Sequence, residues 1–316
     1  MSERVAIVGT GLIGRAWAIA FARGGCETAL WDPTAGAVAA ALGAIEDLLA
    51  DLAGFELLDG QAPAAVRARI TAAASLGEAV AGAGHVQESA PEQLDLKRRL
   101  WAELDRAAGP ETVLASSTSA LLPSAFTEDL AGRARCLVAH PINPPYLVPA
   151  VEIVPAPWTD ATAVERTRAL MAAIGQTPMV MRREAEGFIM NRLQAALVNE
   201  AMRLVAGGYC GIEDVDRGLR DGIGLRWSFI GPFEVGDLNA PGGVRDYLER
   251  YRHVFEAVAA RPLPEPAWDA PLLGRIEAER RARLPAAALA ARQRWRDRRL
   301  MALLAHKREA ARVVGD

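Results

Sequence analysis

The sequence predicts an α/β protein in which a doubly wound, mostly parallel sheet is followed by an all-helical C-terminal domain. Two observations carry this prediction. Short apolar runs typical of strands alternate with helical patterns through the first part of the chain, and after about Gly187 the strand signals stop while long helical patterns continue. We therefore expect two domains, one at residues 1–186 and one at residues 187–316.

The first elements form a β-α-β unit. Residues 4–8 read RVAIV and end at glycines, a helical pattern follows from Leu12 to about Arg23, and a second strand-like run covers residues 28–31. Further alternation favours a parallel sheet covered by helices on both faces. The later strand-like runs lie at 85–88, 112–116, 136–140, 151–155 and 179–181, with helical patterns at 94–106 and 161–174.

The second domain is defined by its helices. Helical patterns cover 191–206 and 212–220, and the proline-rich residues 261–273 are expected to form an extended connection into a last helix from about Gly274. Residues 275–312 hold 12 Lys/Arg and four Asp/Glu, with leucines interleaved. We expect an amphipathic helix that packs on its own domain or on the acidic surface of a partner subunit, not a nucleic-acid-binding tail.

Composition and charge argue against several classes of function. The chain has 316 residues and a formal net charge of −3, so nothing global favours nucleic acid or an anionic membrane. No segment reaches the roughly 20 apolar residues of a membrane span. The first four residues leave no room for a signal peptide, so we expect a cytoplasmic protein. Three widely separated cysteines predict neither disulfides nor a metal site.

Gly9, Gly11 and Gly14 form a G-x-G-x-x-G motif between the first strand and the first helix, the pattern of a Rossmann-type dinucleotide site. The helix N-terminus offers unpaired N–H groups to phosphates. Asp32 ends the second strand, where a carboxylate accepts hydrogen bonds from a ribose and repels a 2′-phosphate, so NAD is favoured over NADP. Flavin binding and a purely structural glycine turn are the alternatives.

His140 lies at the predicted C-terminal end of a strand, in the sequence VAHPINPP. Ligands of open α/β sheets bind at that edge. An imidazole can take the proton of an alcohol while a hydride leaves for a nicotinamide. From the residues alone, a structural histidine is as well supported as a catalytic one.

The motifs together resemble those of the 3-hydroxyacyl-CoA dehydrogenase family over almost the whole chain, most closely those of its L-gulonate-oxidising branch, which also includes the lens protein lambda-crystallin. They are the glycine motif at 9–14, QESAPE at 87–92, SSTS at 116–119, HPINPPYLVPAVEIVP at 140–155, EGFIMNRL at 186–193, GIGLRWSFIGPFE at 222–234 and ARQRWRD at 291–297. The resemblance implies NAD as cofactor and a homodimer.

The resemblance also implies roles for individual residues. At the reacting atoms it implicates His140 as general base, Glu152 as the carboxylate that orients it, and Ser119 and Asn191 as hydrogen-bonding partners of the reacting oxygen. Taken singly, Glu152 is equally well explained as a surface carboxylate, Ser119 as a helix cap and Asn191 as an amide inside a helix. For the cofactor it implicates the backbone at Leu12 and Ile13, and Asp32, Glu92, Lys97 and Asn143. Ser117 departs from the family, whose acyl-CoA members have asparagine there.

The substrate is predicted from charge. Between Arg23 and Arg67 the chain has no basic residue and seven acidic ones, which would repel the phosphates of coenzyme A. Arg226, in the sequence GLRW, is a candidate partner for a substrate carboxylate, with a structural ion pair as the alternative.

We therefore expect oxidation of a small free 3-hydroxy acid, most closely L-gulonate. L-carnitine competes as a substrate if Tyr146, Trp227, Phe229 and Phe233 form an aromatic cage, although such aromatic residues are more often core. A 3-hydroxyacyl-CoA is the other alternative substrate, and a catalytically silent structural protein on the same scaffold is the alternative of another class.

Overall fold

A computed structural model of the chain describes residues 3–260 and 270–315. Its sheet has eight strands in the order β3-β2-β1-β4-β5-β6-β7-β8. All neighbouring strands are parallel except β6 and β7, which run antiparallel. The strands are β1 (Arg4–Val8), β2 (Glu27–Trp31), β3 (Ile70–Ala72), β4 (His85–Glu88), β5 (Val113–Ser116), β6 (Cys136–Pro141), β7 (Ala150–Pro155) and β8 (Thr177–Val180).

The predicted fold class is confirmed. Chain order reverses between β1 and β4, so the sheet has the switch point at which doubly wound folds bind ligands. The predicted strands are all present. The short edge strand β3 was missed, because three residues with one buried side chain carry almost no periodic signal.

Helices cover both faces of the sheet and, with the connecting turns, form the rest of the described chain. The first seven are α1 (Leu12–Arg23), α2 (Ala37–Gly54), α3 (Pro63–Ala68), α4 (Leu76–Val80), α5 (Leu94–Ala107), α6 (Pro123–Thr127) and α7 (Ala161–Ala173). The others are α8 (Met190–Ala206), α9 (Ile212–Arg217), α10 (Gly224–Trp227), α11 (Pro232–Leu238), α12 (Gly243–Ala260), α13 (Ala270–Arg283) and α14 (Leu289–Val314). A π-helical segment, Gly218–Ile223, joins α9 to α10.

Part of the predicted connection at 261–273 lies outside the described residues, namely 261–269. Its last four residues are helical, so α13 begins at Ala270 rather than at Gly274. Pro271 is tolerated there because a proline in the first turn of a helix removes no intrahelical hydrogen bond. Within residues 3–260 and 270–315, no helix is both long and apolar enough to cross a membrane.

Two apolar layers hold the sheet between its helices. On one face, Trp17 and Phe21 of α1 pack with Ile7 of β1, and on the other face Trp101 of α5 packs with Val86 of β4. These five side chains are fully buried. The central strands are buried on both sides for this reason, which is typical of parallel sheets.

The chain forms two compact units. The first contains residues 1–192 and 292–316, and the second contains residues 193–291. The sequence prediction places all residues from 187 onward in one domain. In the structure, residues 187–192 and 292–316 belong instead to the unit that contains the sheet. In the second unit, Arg283 pairs with Glu213, and the Arg275 guanidinium donates to the Val205 carbonyl oxygen at 3.0 Å.

Helix α14 packs on the first unit, which is why residues 292–316 belong to it. Met301 is 0% exposed and belongs to the same apolar layer as Trp17, with Leu300 and Leu304 packed beside it. Burying one such methionine contributes about 1.5–3 kcal/mol. The single helix expected from about Gly274 is instead two helices, α13 and α14, and it is α14 that packs on the sheet of its own chain.

Ion pairs add to this docking at the surface. Arg298 pairs with Asp51 at 2.8 Å, and Arg308 pairs with Asp59 at 2.9 Å. Both pairs are largely solvent-exposed, so each contributes at most about 1 kcal/mol.

Candidate active site

The glycine motif builds a phosphate-sized opening at the switch point. Gly9 has φ +92°, and a Cβ on it would lie 2.8 Å from the Ser89 carbonyl oxygen. A Cβ on Gly14 would lie 1.8 Å from the Gly9 carbonyl oxygen, so only glycine lets α1 approach β1. A Cβ on Gly11, by contrast, would meet nothing within 4 Å. The open side at Gly11 is where a pyrophosphate can reach the backbone.

Asp32 follows β2 and is held by the turn that follows β1. Its Oδ2 accepts from the Thr10 backbone N–H at 2.8 Å and from the Thr10 hydroxyl at 3.1 Å, and its Oδ1 accepts from the Thr34 N–H at 2.9 Å. Partial burial raises the pKa of Asp32, but these hydrogen bonds outweigh burial and hold its pKa below the ordinary value. The fixed negative charge disfavours a 2′-phosphate.

A groove of about 680 Å³ runs over these residues at the C-terminal edge of β1, β2 and β4. Helix α5 supplies its outer wall through Leu96, Arg99, Leu100 and Glu103. Leu12, at the start of α1, is 62% exposed, while Ile13 is half-buried and packs on the core. The open backbone at Gly11, the Asp32 carboxylate and the size of the groove fit a dinucleotide.

His140 and Glu152 face each other across the one antiparallel pair of strands in the sheet. They are register partners in β6 and β7. His140 Nδ1 lies 2.7 Å from Glu152 Oε2, and the side chains are 4% and 0% exposed. The Phe188 ring lies 5.5 Å from the His140 ring. The imidazole is thus fixed in orientation at the ligand-binding edge.

The hydrogen bonds of Glu152 determine where the His140 proton sits. Glu152 Oε1 accepts from the backbone N–H groups of Ile189 at 2.5 Å and Met190 at 2.9 Å, at the N-terminus of α8. A carboxylate oxygen accepts hydrogen bonds, as Oε1 does from these two N–H groups. The proton between Glu152 Oε2 and His140 Nδ1 is therefore assigned to Nδ1, and in the neutral ring Nε2 carries the lone pair.

Ser119 and Asn191 are brought into direct contact. The Asn191 side-chain amide donates to the Ser119 carbonyl oxygen at 2.7 Å. Asn191 directly follows the two residues that bind Glu152. Ser119 lies just beyond β5 and His140 at the end of the adjacent β6, so both are at the same edge of the sheet.

Glu92 organises the Ser119 turn rather than lining the groove. Its carboxylate accepts from the Thr118 hydroxyl and from the backbone N–H groups of Ser119, Ala120 and Leu121. Partial burial raises the pKa of Glu92, but these hydrogen bonds hold it below the ordinary value. The geometry therefore favours a positioning role for Glu92.

Lys97 differs most from its expected role as a cofactor contact. Its side chain is 1% exposed, and its ammonium group lies 2.7 and 2.9 Å from the two oxygens of Glu88, itself fully buried. Glu88 also accepts from the backbone N–H of Ala90 at 2.6 Å, in the turn that lines the groove. In this conformation Lys97 supports the wall of the groove from beneath and does not reach into it.

The remaining predicted residues lie on other elements. Asn143 is exposed in the turn after β6, before a cis peptide bond to Pro144. Arg226 lies in α10 of the second unit. Tyr146 is 4% exposed and packs in the same apolar layer as Trp17. Its ring is therefore unavailable for an aromatic cage.

The acidic stretch after β2 has structural partners. Asp51 and Asp59 pair with the arginines of α14, and Glu46 pairs with Arg67 at 3.0 Å. Docking of α14 is thus a second explanation for these acids. The charge of this segment alone does not exclude a coenzyme A substrate.

Some functional candidates were not found from the sequence. Phe188, which contacts His140, has φ +51° and is fully buried. The buried residues Gln87, Glu88 and Ser117 hold the groove wall: Gln87 donates to Ser117, Ser117 contacts Ser89, and Glu88 accepts from the Ala90 N–H. Their signal was present, because a glutamine and a glutamate in a buried strand must find buried partners.

Comparisons with known proteins agree with this architecture. A model of the 3-hydroxyacyl-CoA dehydrogenase NAD-binding domain matches residues 4–185. A model of the C-terminal domain of 3-hydroxyacyl-CoA dehydrogenase matches residues 187–282. The two matches meet where α8 begins, and they leave α14 outside.

Several relatives match over nearly the full chain. A lambda-crystallin homolog from Bos taurus is 44% identical over 304 residues, covering 95% of this chain and 94% of that protein. Lambda-crystallin from Oryctolagus cuniculus is 41% identical over 308 residues, covering 96% of each. L-carnitine dehydrogenase from Pseudomonas aeruginosa is 37% identical over 305 residues, covering 96% of this chain and 94% of that protein.

Solved structures share the fold. The NAD+-dependent dismutase 5-formyl-3-hydroxy-2-methylpyridine 4-carboxylic acid 5-dehydrogenase superposes with a TM-score of 0.82 at 26% identity, covering 96% of this chain and 97% of that one. 3-Hydroxybutyryl-CoA dehydrogenase from Escherichia coli K12 gives a TM-score of 0.67 at 29% identity, covering 75% of this chain and 49% of that one.

Proposed function

Because the chain belongs to the 3-hydroxyacyl-CoA dehydrogenase family, and is therefore an NAD-dependent dehydrogenase acting on a 3-hydroxy group, we propose that its substrate is a small free 3-hydroxy acid. L-Gulonate is the substrate we expect, and its 3-oxo acid the product. His140 is the proposed general base. Glu152 is the proposed partner that orients it.

The observation that carries this proposal is the 2.7 Å contact between His140 Nδ1 and Glu152. It leaves the Nε2 lone pair of the neutral imidazole free to accept the hydroxyl proton of a substrate. The resulting imidazolium is stabilised by the Glu152 carboxylate, as in other His–carboxylate pairs. The groove lined by Gly11, Asp32 and Ser89 would hold NAD, which would supply the acceptor for the hydride on C3. The substrate thus loses one proton and one hydride, and the C3 alcohol becomes a ketone.

Ser119 and Asn191 complete the proposed site. Their mutual hydrogen bond fixes the turn after β5 against the start of α8. We infer that the Ser119 hydroxyl donates to the substrate oxygen as it changes from alcohol to carbonyl. A donor fixed before the reaction stabilises the charge that develops there. Asn191 supports this donor by holding its backbone.

Two observations bear on the choice among free acids. The PPY and GFIMNRL motifs favour L-gulonate over L-carnitine. The burial of Tyr146 removes one ring from the cage that a trimethylammonium group requires.

A catalytically silent protein would need a broken site, whereas Ser119, His140, Glu152 and Asn191 are all present. A cytoplasmic location and a homodimer are part of the same proposal.

The purified chain is expected to reduce NAD in the presence of L-gulonate. NADH absorbance should be followed with L-gulonate, L-carnitine, 3-hydroxybutyrate and 3-hydroxybutyryl-CoA, each with NAD and with NADP. The highest kcat/KM is expected for L-gulonate with NAD, because Asp32 repels the 2′-phosphate of NADP. A preference for the coenzyme A ester would contradict the free-acid proposal. No turnover with any of the four, despite NAD binding, would favour a silent protein.

Arg226→Ala tests the sequence-based proposal that Arg226 binds the substrate carboxylate. The expected result is a 10- to 100-fold lower kcat/KM, about the loss of a charge-assisted hydrogen-bonding pair. Arg220→Ala is the matched control, because exposed Arg220 pairs with the neighbouring Asp221 at 2.7 Å. If both variants keep the wild-type KM and kcat, Arg226 has no role in substrate binding.

A further inference from the structure

A buried chain of hydrogen bonds ends at the wall of the dinucleotide groove. It begins at His85 and Gln87 of β4, includes Trp17 of α1 and Ser117 after β5, and ends at Ser89. The first four side chains are at least 90% buried, whereas Ser89 is half-buried and lines the groove. The direction of every hydrogen bond in this chain can be determined by counting donors and acceptors.

The Gln87 amide is oriented by the Ala139 carbonyl oxygen. That oxygen lies 3.1 Å from the Gln87 amide nitrogen, and a carbonyl oxygen only accepts. Gln87 Oε1 therefore faces His85 Nε2, at 3.1 Å. Since Oε1 is also only an acceptor, the proton of the neutral His85 ring lies on Nε2. Burial keeps that ring neutral by lowering the pKa of His85 to about 4.

Ser117 then has both lone pairs occupied. Its hydroxyl oxygen accepts from the Gln87 amide at 2.7 Å and from the Trp17 indole N–H at 3.1 Å. A hydroxyl oxygen has two acceptor sites and one proton. The Ser117 proton must therefore be donated to Ser89 Oγ, 3.0 Å away.

This order leaves the Ser89 proton directed elsewhere. Because Ser89 Oγ accepts from Ser117, its own O–H is a free donor on the groove side. Ser89 follows β4, on the opposite side of β1 from Asp32, which follows β2. Asp32 occupies the adenosine side of the groove. The side at Ser89 is therefore the nicotinamide side.

We propose that Ser89 is a cofactor-binding residue whose hydroxyl donates a hydrogen bond to an oxygen acceptor in the nicotinamide half of the bound dinucleotide. The buried chain from Trp17, Gln87 and Ser117 occupies one lone pair of Ser89 Oγ and so leaves the Ser89 proton available to the cofactor. This inference concerns cofactor binding alone, so it stands whether or not L-gulonate is the substrate.

The test is the dissociation constant for NAD and for AMP, which carries only the adenosine half, measured by calorimetry without substrate. Ser89→Ala should raise the Kd for NAD about tenfold and leave that for AMP within twofold, since one hydrogen bond is lost. Asp32→Asn is the reciprocal control and should weaken both ligands. Thermal unfolding of each variant establishes that the protein measured is folded.

Ser89→Cys provides a second variant, because a thiol is similar in size but a weak donor. Its Kd for NAD is expected to lie between those of the unaltered chain and Ser89→Ala. If both variants bind NAD within twofold of the unaltered chain, Ser89 does not donate to the cofactor. Equal losses of NAD and AMP affinity would also overturn the proposal, because the contact would then be to the adenosine half.

Discussion

His140→Asn is expected to lower kcat by about 10²- to 10⁴-fold, the usual contribution of a general base. The amide nitrogen of asparagine takes the place of His140 Nδ1, so it can still donate to Glu152, while nothing replaces the Nε2 lone pair. NAD affinity should therefore change little. Steady-state kinetics with L-gulonate and a separate NAD titration measure the two effects.

The matched control is His306→Asn, because His306 is an exposed histidine of α14. It should leave kcat unchanged. Retention of more than a tenth of the wild-type kcat by His140→Asn would show that His140 is not the base. A parallel loss of NAD affinity would instead indicate that the substitution had disturbed the groove.

Lys97→Ala is expected to have the largest effect on stability. It leaves Glu88 as a fully buried carboxylate without its cationic partner. Breaking a buried ion pair in this way lowers the free energy of unfolding by about 3–5 kcal/mol. Urea unfolding followed by circular dichroism measures this loss. NAD affinity is expected to change less than stability does, because Lys97 supports the groove turn at Ala90 only through Glu88.

Arg106→Ala is the control for Lys97→Ala, since Arg106 is an exposed basic residue in the last turn of the same helix, α5. Its effect on unfolding should be within about 0.5 kcal/mol. If Lys97→Ala leaves stability unchanged and raises the Kd for NAD strongly, Lys97 is a direct cofactor contact after all.

The cofactor half of the site could be predicted because its determinants are local. Gly9, Gly11, Gly14 and Asp32 lie in one β-α-β unit, and each has a conformational or electrostatic requirement that one position can express. The same holds for β1 and β6, whose apolar runs identify buried strands without reference to the rest of the chain.

The supporting network could not be predicted in this way. Lys97 and Glu88 lie on different elements, and only the packing of α5 against β4 brings them together. The sequence alone therefore does not pair Lys97 with Glu88, and the only role predicted for Lys97 was the cofactor contact that the family resemblance implies. Likewise, Ser117 is part of a polar stretch in the sequence, while in the structure it accepts two buried hydrogen bonds.

The position of Met301 has a consequence for biosynthesis. Met301 completes the apolar layer that contains Val5 and Ile7 of β1, yet residues 193–291 must be synthesised between the sheet and this last side chain. At a synthesis rate of about 5–20 residues per second, several seconds pass before Met301 is added, and part of the apolar surface of the sheet is uncovered during that time. During that interval the uncovered apolar face of the sheet is a surface to which a chaperone can bind.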